Sequence, residues 1–445
     1  MRATKIARAL TGTTLAGILL LGTSGSAEAA DPRPEQWPLS AFDADAIWKV
    51  STGKGITVAV IDSGFLHTHQ DLKGALLPGK DFGNGEKDGT DSVAPGDAPG
   101  QHGTMMAGII AGRGHGKGGE MGIKGLAPEA KILPLITELK DTNSSEQLAK
   151  AIRYAVDHGA QVINMSLVGV EGASAYEAIE YAVQKDVVLV AGSGNDGAPL
   201  KEYPASYPGV IGVGAVDKYG EVWDSSNFND SVDLLGPGVD IVSTGAKSDS
   251  AYSIGDGTSA GTAYVSAAVA LLRAEFPDLT AGQIVNRLVK TAGLPESEKG
   301  AKLPDEYYGH GFIQPHAALT KDIPAGPEEG PLPMPDPAET PAGTAGKNES
   351  AAGESNDGFP TGTVVGVVAG AAVLVGLLVL LIVKSSRRRS SAVAGPTGWN
   401  QGQRQQQAPH GQQPYGQQPP HHNPGGFPPQ QQGPNQNQPS GPWGP

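Results

Sequence analysis

Residues 56–61, Ile-Thr-Val-Ala-Val-Ile, restrict the fold more than any other stretch. A strand with one wet face alternates apolar and polar residues. This run does not, so it must be buried on both faces, as in a parallel sheet covered by helices on each side. Asp62 closes the run. In open α/β sheets the carboxyl ends of the strands are where ligands and reacting groups collect. Further strands are predicted at 131–136, 162–166, 187–190 and 210–215, with a short extended piece at 240–243. Between them fall helices at 144–158, 175–185, 259–276 and 280–290. Ser144-Ser145-Glu146-Gln147 and Thr280-x-x-Gln283 are capping-box patterns, and Gly159 is a helix stop. Alternating strands and helices predict an α/β fold, a parallel sheet with helices on both faces.

The chain has 445 residues, enough for one large domain plus appendages. It has no cysteine, which excludes a thiol nucleophile, a cysteine zinc site and a disulfide scaffold. A net charge of -14 speaks against nucleic acid as a partner, since that role needs a basic face.

Both ends carry addressing signals. Arg2, Lys5 and Arg8 precede an apolar stretch at 10–21, and Ala27-Glu28-Ala29 gives a small-x-small cleavage site. Residues 1–29 therefore read as a signal peptide. Only about two dozen residues then precede the first strand, too few for an independently folding prodomain. Trp37, Leu39, Phe42, Ile47 and Trp48 instead predict a segment packed on the main domain, taken as 30–322. Residues 323–363 are rich in Pro, Gly, Ala and Glu and read as a linker. Residues 364–383 are uncharged and, as a helix, about 30 Å long, enough for one C-terminal transmembrane helix. Lys384, Arg387, Arg388 and Arg389 follow. The positive-inside rule puts the C-terminus in the cytoplasm and the main domain outside a cell membrane. Residues 384–445, rich in Gln and Pro, read as a disordered cytoplasmic tail.

Gly257-Thr258-Ser259 opens a small-residue helix, where free backbone N–H groups can stabilise an anion. Alone, Ser259 would be an ordinary helix cap. Two other features change that reading. Asp62 ends a buried strand, and His102 opens the segment QHGTMMAGIIAG at 101–112. A serine hydroxyl needs a base, and the base needs a partner to fix its tautomer and stabilise its cation. Ser259, His102 and Asp62 are the right residue types. Asn195, in AGSGNDG at 191–197, is either a turn residue or an oxyanion donor. Asp88, Asp91 and Asp97 lie in a Gly/Asp-rich loop at 81–100. Calcium is open there, but their spacing matches no calcium loop and the sequence indicates no cofactor. The glycine-rich stretch at 113–122 lacks the Gly-Lys-Ser/Thr ending of a phosphate loop. His67 and His69 read as structural or surface residues.

Taken together, and in the order Asp, His, Ser, these motifs resemble the subtilisin-like serine peptidases over residues 37–319. The resemblance implies Asp62, His102 and Ser259 as a catalytic triad and Asn195 as oxyanion donor. It implies that the Ser166-Leu167 strand pairs with extended peptide or protein substrate, with Val168 beside it. Gly192, Ser193 and Gly194 would line the other wall of the primary specificity pocket. The family usually carries alanine and proline after the serine, where this chain has Gly261 and Ala263. It usually carries glycine where this chain has Val168, so a narrower cleft and selective cleavage are expected. A narrower resemblance is to the mycosins, membrane-anchored proteases of type VII secretion systems. Its carriers are Gln36-Trp37-x-Leu39, the lead-in at 48–55, the Pro-rich linker and the C-terminal span. Mycosins usually carry disulfides, which this chain cannot form, and the long Gln/Pro tail is unlike them. The implied partners are secreted substrates and the membrane complex of type VII secretion, which the protein would also stabilise. A non-catalytic scaffold and a stand-alone surface protease are the alternatives.

Overall fold

A computed structural model describes residues 31–83, 99–138, 144–336 and Trp443. The expected signal peptide, the span at 364–383 and Asp88, Asp91 and Asp97 lie outside these residues, as does the tail apart from Trp443. Among the described residues no helix is long and apolar enough to cross a membrane.

The chain enters through two short helices, α1 (Trp37–Ala41) and α2 (Ala44–Val50). Next come β1 (Thr57–Asp62), β2 (Lys80–Asp81), α3 (Pro99–Ala111), β3 (Arg113–His115), β4 (Met121–Lys124) and β5 (Lys131–Ile136). Then follow α4 (Ser144–Asp157), β6 (Val162–Met165), α5 (Ala173–Gln184), β7 (Val188–Gly192), β8 (Val210–Val216) and β9 (Leu234–Pro237). The last elements are β10 (Ile241–Thr244), β11 (Tyr252–Gly255), α6 (Thr258–Glu275), α7 (Ala281–Thr291) and α8 (Pro315–Thr320).

Seven strands form one parallel sheet in the order β2-β5-β1-β6-β7-β8-β9. The unbroken apolar run of β1 is explained by its surroundings. Val58 and Val60 enter the core shared with α3 and α6, whereas Ala59 and Ile61 enter the core shared with α4 and α5. Each Val or Ile buried this way stabilises the fold by about 1.5–3 kcal/mol relative to exposure. β5 lies on one side of β1 and β6 on the other. Asp62 thus ends the strand at which the order reverses, where a crevice opens in such sheets.

α6 is the central helix. Every residue from Ala260 to Arg273 is buried, which is why its sequence has no polar stripe. The capping box of α7 is complete: Gln283 N–H donates to Thr280 Oγ1 (3.2 Å) and Thr280 N–H to Gln283 Oε1 (3.1 Å). At α4, Gln147 is used otherwise and accepts from Glu138 N–H at 3.1 Å.

The N-terminal segment packs as its aromatic residues require. Leu39, Phe42 and Ile47 are buried in the core. The indole N–H of Trp37 donates to the Val239 carbonyl and that of Trp48 to the Leu126 carbonyl, both at 2.9 Å. Three findings depart from the sequence reading. The glycine-rich stretch after α3 is a two-stranded antiparallel ribbon, β3 with β4. β2 and β9 add two strands to the five predicted for the sheet, β9 having been hidden by its Gly and Pro. Residues 323–336, read as the start of a linker, lie against the domain. Their backbone carbonyls at Pro324, Ala325 and Gly326 accept from Asn286 and Gln283, and Pro333 O accepts from Gly209 N–H. Trp443 also belongs with this unit. It packs on Trp37, Phe42 and Phe312 and donates its indole N–H to the Lys218 carbonyl at 2.8 Å.

Candidate active site

Strand register brings the site residues to one edge. Val60 pairs with Asn164 and Asn164 with Val190, so two residues further on Asp62, Ser166 and Gly192 are level. His102 lies in the first turns of α3. Its ring Nδ1 sits 2.8 and 3.0 Å from the two Asp62 carboxylate oxygens. Gly103 permits this approach, because a Cβ there would come within 2.3 Å of the Gly64 carbonyl. Asp62 is buried, while the His102 side chain is 43% exposed. The Asp62 charge raises the His102 pKa above its ordinary 6.5, outweighing the opposing effect of burial. A carboxylate at Nδ1 fixes the proton on that nitrogen and leaves Nε2 as a base toward the open side.

Ser259 is the second residue of α6, so its N–H belongs to the first turn and has no acceptor within the helix. Among the described residues no hydrogen bond joins its hydroxyl to His102. Such contacts commonly tighten only when substrate binds. The backbone around Ser259 is held tightly. Ser166 Oγ donates to the Ser259 carbonyl at 2.9 Å and accepts from Asn164 Nδ2 at 3.0 Å. Asn164 Oδ1 in turn accepts from Ser266 Oγ at 3.0 Å. This buried chain ties β6 to α6.

Asn195 is fixed by its own oxygen. Its Oδ1 accepts from Thr258 N–H (2.9 Å) and the Thr258 hydroxyl (3.0 Å), so its amide NH₂ is the end left to face outward. Thr258 Oγ1 also accepts from Gly194 N–H at 3.3 Å. Thr258, Asn164 and Ser266 were not singled out from the sequence. Their only signal there is a polar residue in a buried apolar setting: Asn164 inside VINM, and Ser266 inside α6.

The expected substrate residues divide by exposure. Val168 is 44% exposed, Leu167 is half-buried and Ser166 is buried. Gly192 closes β7, where a Cβ would come within 3.0 Å of Thr258 Oγ1. Ser193 turns inward and donates to the Asn227 carbonyl at 3.2 Å, so its hydroxyl does not face the cleft. Gly194 adopts φ +107°, a backbone conformation that favours glycine. His69 is structural: its ring donates to the Ala251 carbonyl (2.9 Å) and accepts from Asp71 N–H (3.1 Å), and burial lowers its pKa. Among the described residues no cluster of His, Asp and Glu could hold a metal ion.

The model of the subtilase family matches residues 53–311. The chain belongs to the subtilase family. A thermophilic serine proteinase from Bacillus sp. (strain AK1) is 39% identical over 281 residues, 62% of this subtilase and 65% of that protein. This subtilase therefore spans a little less than two thirds of that relative's length. The structure of MycP1 from Mycobacterium smegmatis matches with a TM-score of 0.56 at 30% identity, over 66% of this chain and 87% of that one. The MycP3 protease from the type VII (ESX-3) secretion system matches with a TM-score of 0.56 at 31% identity, over 64% and 88%. The structural neighbours of this subtilase thus include the mycosins whose resemblance its N-terminal segment carries.

Proposed function

We propose that this subtilase is a serine endopeptidase that cleaves selected secreted proteins outside the cell membrane, as part of a type VII secretion apparatus. The observation that carries the chemistry is the Asp62–His102 contact, which fixes the imidazole's proton on Nδ1 and leaves Nε2 as the base. In this reading His102 Nε2 takes the Ser259 proton as Oγ attacks the scissile carbonyl. The negative oxygen of the tetrahedral intermediate lies between Ser259 N–H and the Asn195 amide. The imidazolium, stabilised by Asp62, then gives its proton to the leaving amine. Water enters by the same route to release the acyl group. Extended substrate pairs along residues 166–168, with Gly192 to Gly194 forming the opposite wall.

The assignment to type VII secretion rests on the mycosin neighbours, which this chain covers over 87% and 88% of their length. Residues 364–383 serve as the membrane tether. A serine-reactive fluorophosphonate tests the chemistry: the wild-type chain should be labelled and Ser259→Ala should not. Equal labelling of both would remove Ser259 from its role. Type VII substrates in the medium of wild-type, deletion and Ser259→Ala strains then separate cleavage from scaffolding. Secretion lost only in the deletion would favour the scaffold.

A second reading of the topology has one observation behind it. A chain that crosses the membrane at 364–383 cannot seat its own Trp443 on the outer domain. The packing of Trp443 on Trp37, Phe42 and Phe312 favours a tail on the same side as that domain.

A further inference from the structure

Glu202 lies where the two expected walls of the specificity pocket meet, and no role has so far been given to it. One wall follows β6 through Ser166, Leu167 and Val168. The other leaves the end of β7 at Gly192 and reaches Gly194. Gly169 N–H, directly after the first wall, donates to Glu202 Oε2 at 3.1 Å, and Val170 N–H donates to the Tyr203 carbonyl at 3.0 Å. The segment carrying Glu202 therefore runs alongside residues 169–170. On the second wall, a Cβ at Gly194 would stand 3.0 Å from Glu202 Cγ. The glutamate side chain thus passes against one wall and ends on the other.

Its charge is not neutralised there. Lys201, the adjacent cation, points away to Asp230 at 2.6 Å. Among the described residues no Lys or Arg forms an ion pair with Glu202. A carboxylate has about four acceptor positions, and Gly169 N–H fills one of them. Glu202 is half-buried, so an apolar side chain pressed onto it would strip water from a charge and return nothing. A substrate ammonium or guanidinium would restore the lost hydrogen bonds. Val168 on the first wall is exposed and β-branched, which suits a long unbranched stem over a broad ring.

We propose that Glu202 is the floor of the primary specificity pocket and selects Lys or Arg on the acyl side of the cleaved bond. This rests on the endopeptidase reading above. The competing account is that Glu202 merely braces the turn at Gly169. Glu202→Gln separates the two, because glutamine still accepts from Gly169 N–H but carries no charge.

The test uses the purified full chain and quenched peptides that differ only at the acyl-side residue: Arg, Lys, Gln, Leu or Glu. The wild type should show kcat/KM for Arg and Lys at least about tenfold above Leu. In Glu202→Gln that ratio should fall by about tenfold. A wild type that cleaves Leu as well as Arg overturns the proposal, and so does an unchanged ratio in the variant. If no peptide is cleaved and no Ser259-dependent fluorophosphonate labelling occurs, the endopeptidase reading itself fails and takes the proposal with it. Labelling without basic preference sinks the proposal alone.

Discussion

Asp62 makes His102 a stronger base than an isolated imidazole, because its charge favours the imidazolium more than burial opposes it. The base works only when neutral. Activity should therefore fall as pH drops through a His102 pKa lying above 6.5. Asp62→Asn should move this acid limb of the kcat/KM profile to lower pH and reduce kcat by roughly 10⁴-fold. Asn195→Ala should reduce kcat by about 10²–10³-fold with little change in KM, because the amide serves mainly the transition state. Steady-state kinetics on a cleaved peptide measure both. Asp233 gives a stability prediction of the opposite kind to a paired carboxylate. Burial pushes it up to about 7, while Gly212 N–H, donating at 2.8 Å, pulls it down. The folded chain holds this proton longer than the unfolded chain does. The group's favourable contribution is complete below 3.8 and is lost as pH rises through about 7. Asp233→Asn should then raise the melting temperature more at pH 8 than at pH 5, as calorimetry at the two pH values would show.

Among the elements, α6 meets β8 and β9 backbone to backbone at one point. A Cβ at Gly236 would stand 2.5 Å from the Gly261 carbonyl, and one at Gly261 would stand 2.9 Å from the Gly214 carbonyl. Gly261, where related peptidases carry alanine, is thus the point at which helix and strand backbones touch. Gly236→Val should lower stability by about 1–3 kcal/mol, read as a lower urea midpoint at unchanged m. β1, β5, β6, β7 and β8 were legible because each is apolar on both faces, and α7 because it opens at a capping box. Asp62, His102 and Ser259 stand out in the sequence for a related reason: each is a polar residue at the boundary of an apolar run. Asn164 and Ser266 do not, because a buried polar pair is recognised only once two distant elements are brought together. The β3–β4 ribbon was missed because its glycines supply turns rather than a period-two pattern.

At the level of the whole molecule, composition misled where backbone groups do the binding. Residues 323–336 have the Pro/Gly content of a linker, yet their carbonyls accept from Thr280, Gln283, Asn286 and Gly209. The strap borders a hollow lined by Val183, Val187, Val285, Leu332 and Met334 together with the carboxylates Asp186, Glu328 and Glu329. Asn286→Ala together with Gln283→Ala should loosen it, seen as faster amide exchange in 323–336 with slower-exchanging β1 unaffected. The placement of the tail can be decided by cysteine labelling, since the chain has no cysteine of its own. Trp443→Cys in intact cells should resist an impermeant maleimide if 364–383 spans the membrane, and react if the tail lies outside. The tie between Asn195 and Thr258 also bears on how such a protein could be controlled. It joins the proposed oxyanion donor to the helix of the proposed nucleophile, whereas Asp62 and His102 ride on β1 and α3 respectively. In the proposed mechanism the working groups thus sit as two pairs on separate elements, Asn195 with Thr258 and Ser259, and Asp62 with His102. An effector that shifted α3 alone would leave Ser259 and Asn195 aligned with each other but deprive them of a proton acceptor. Control by a partner would then silence turnover while the site still captured reagents that need no base.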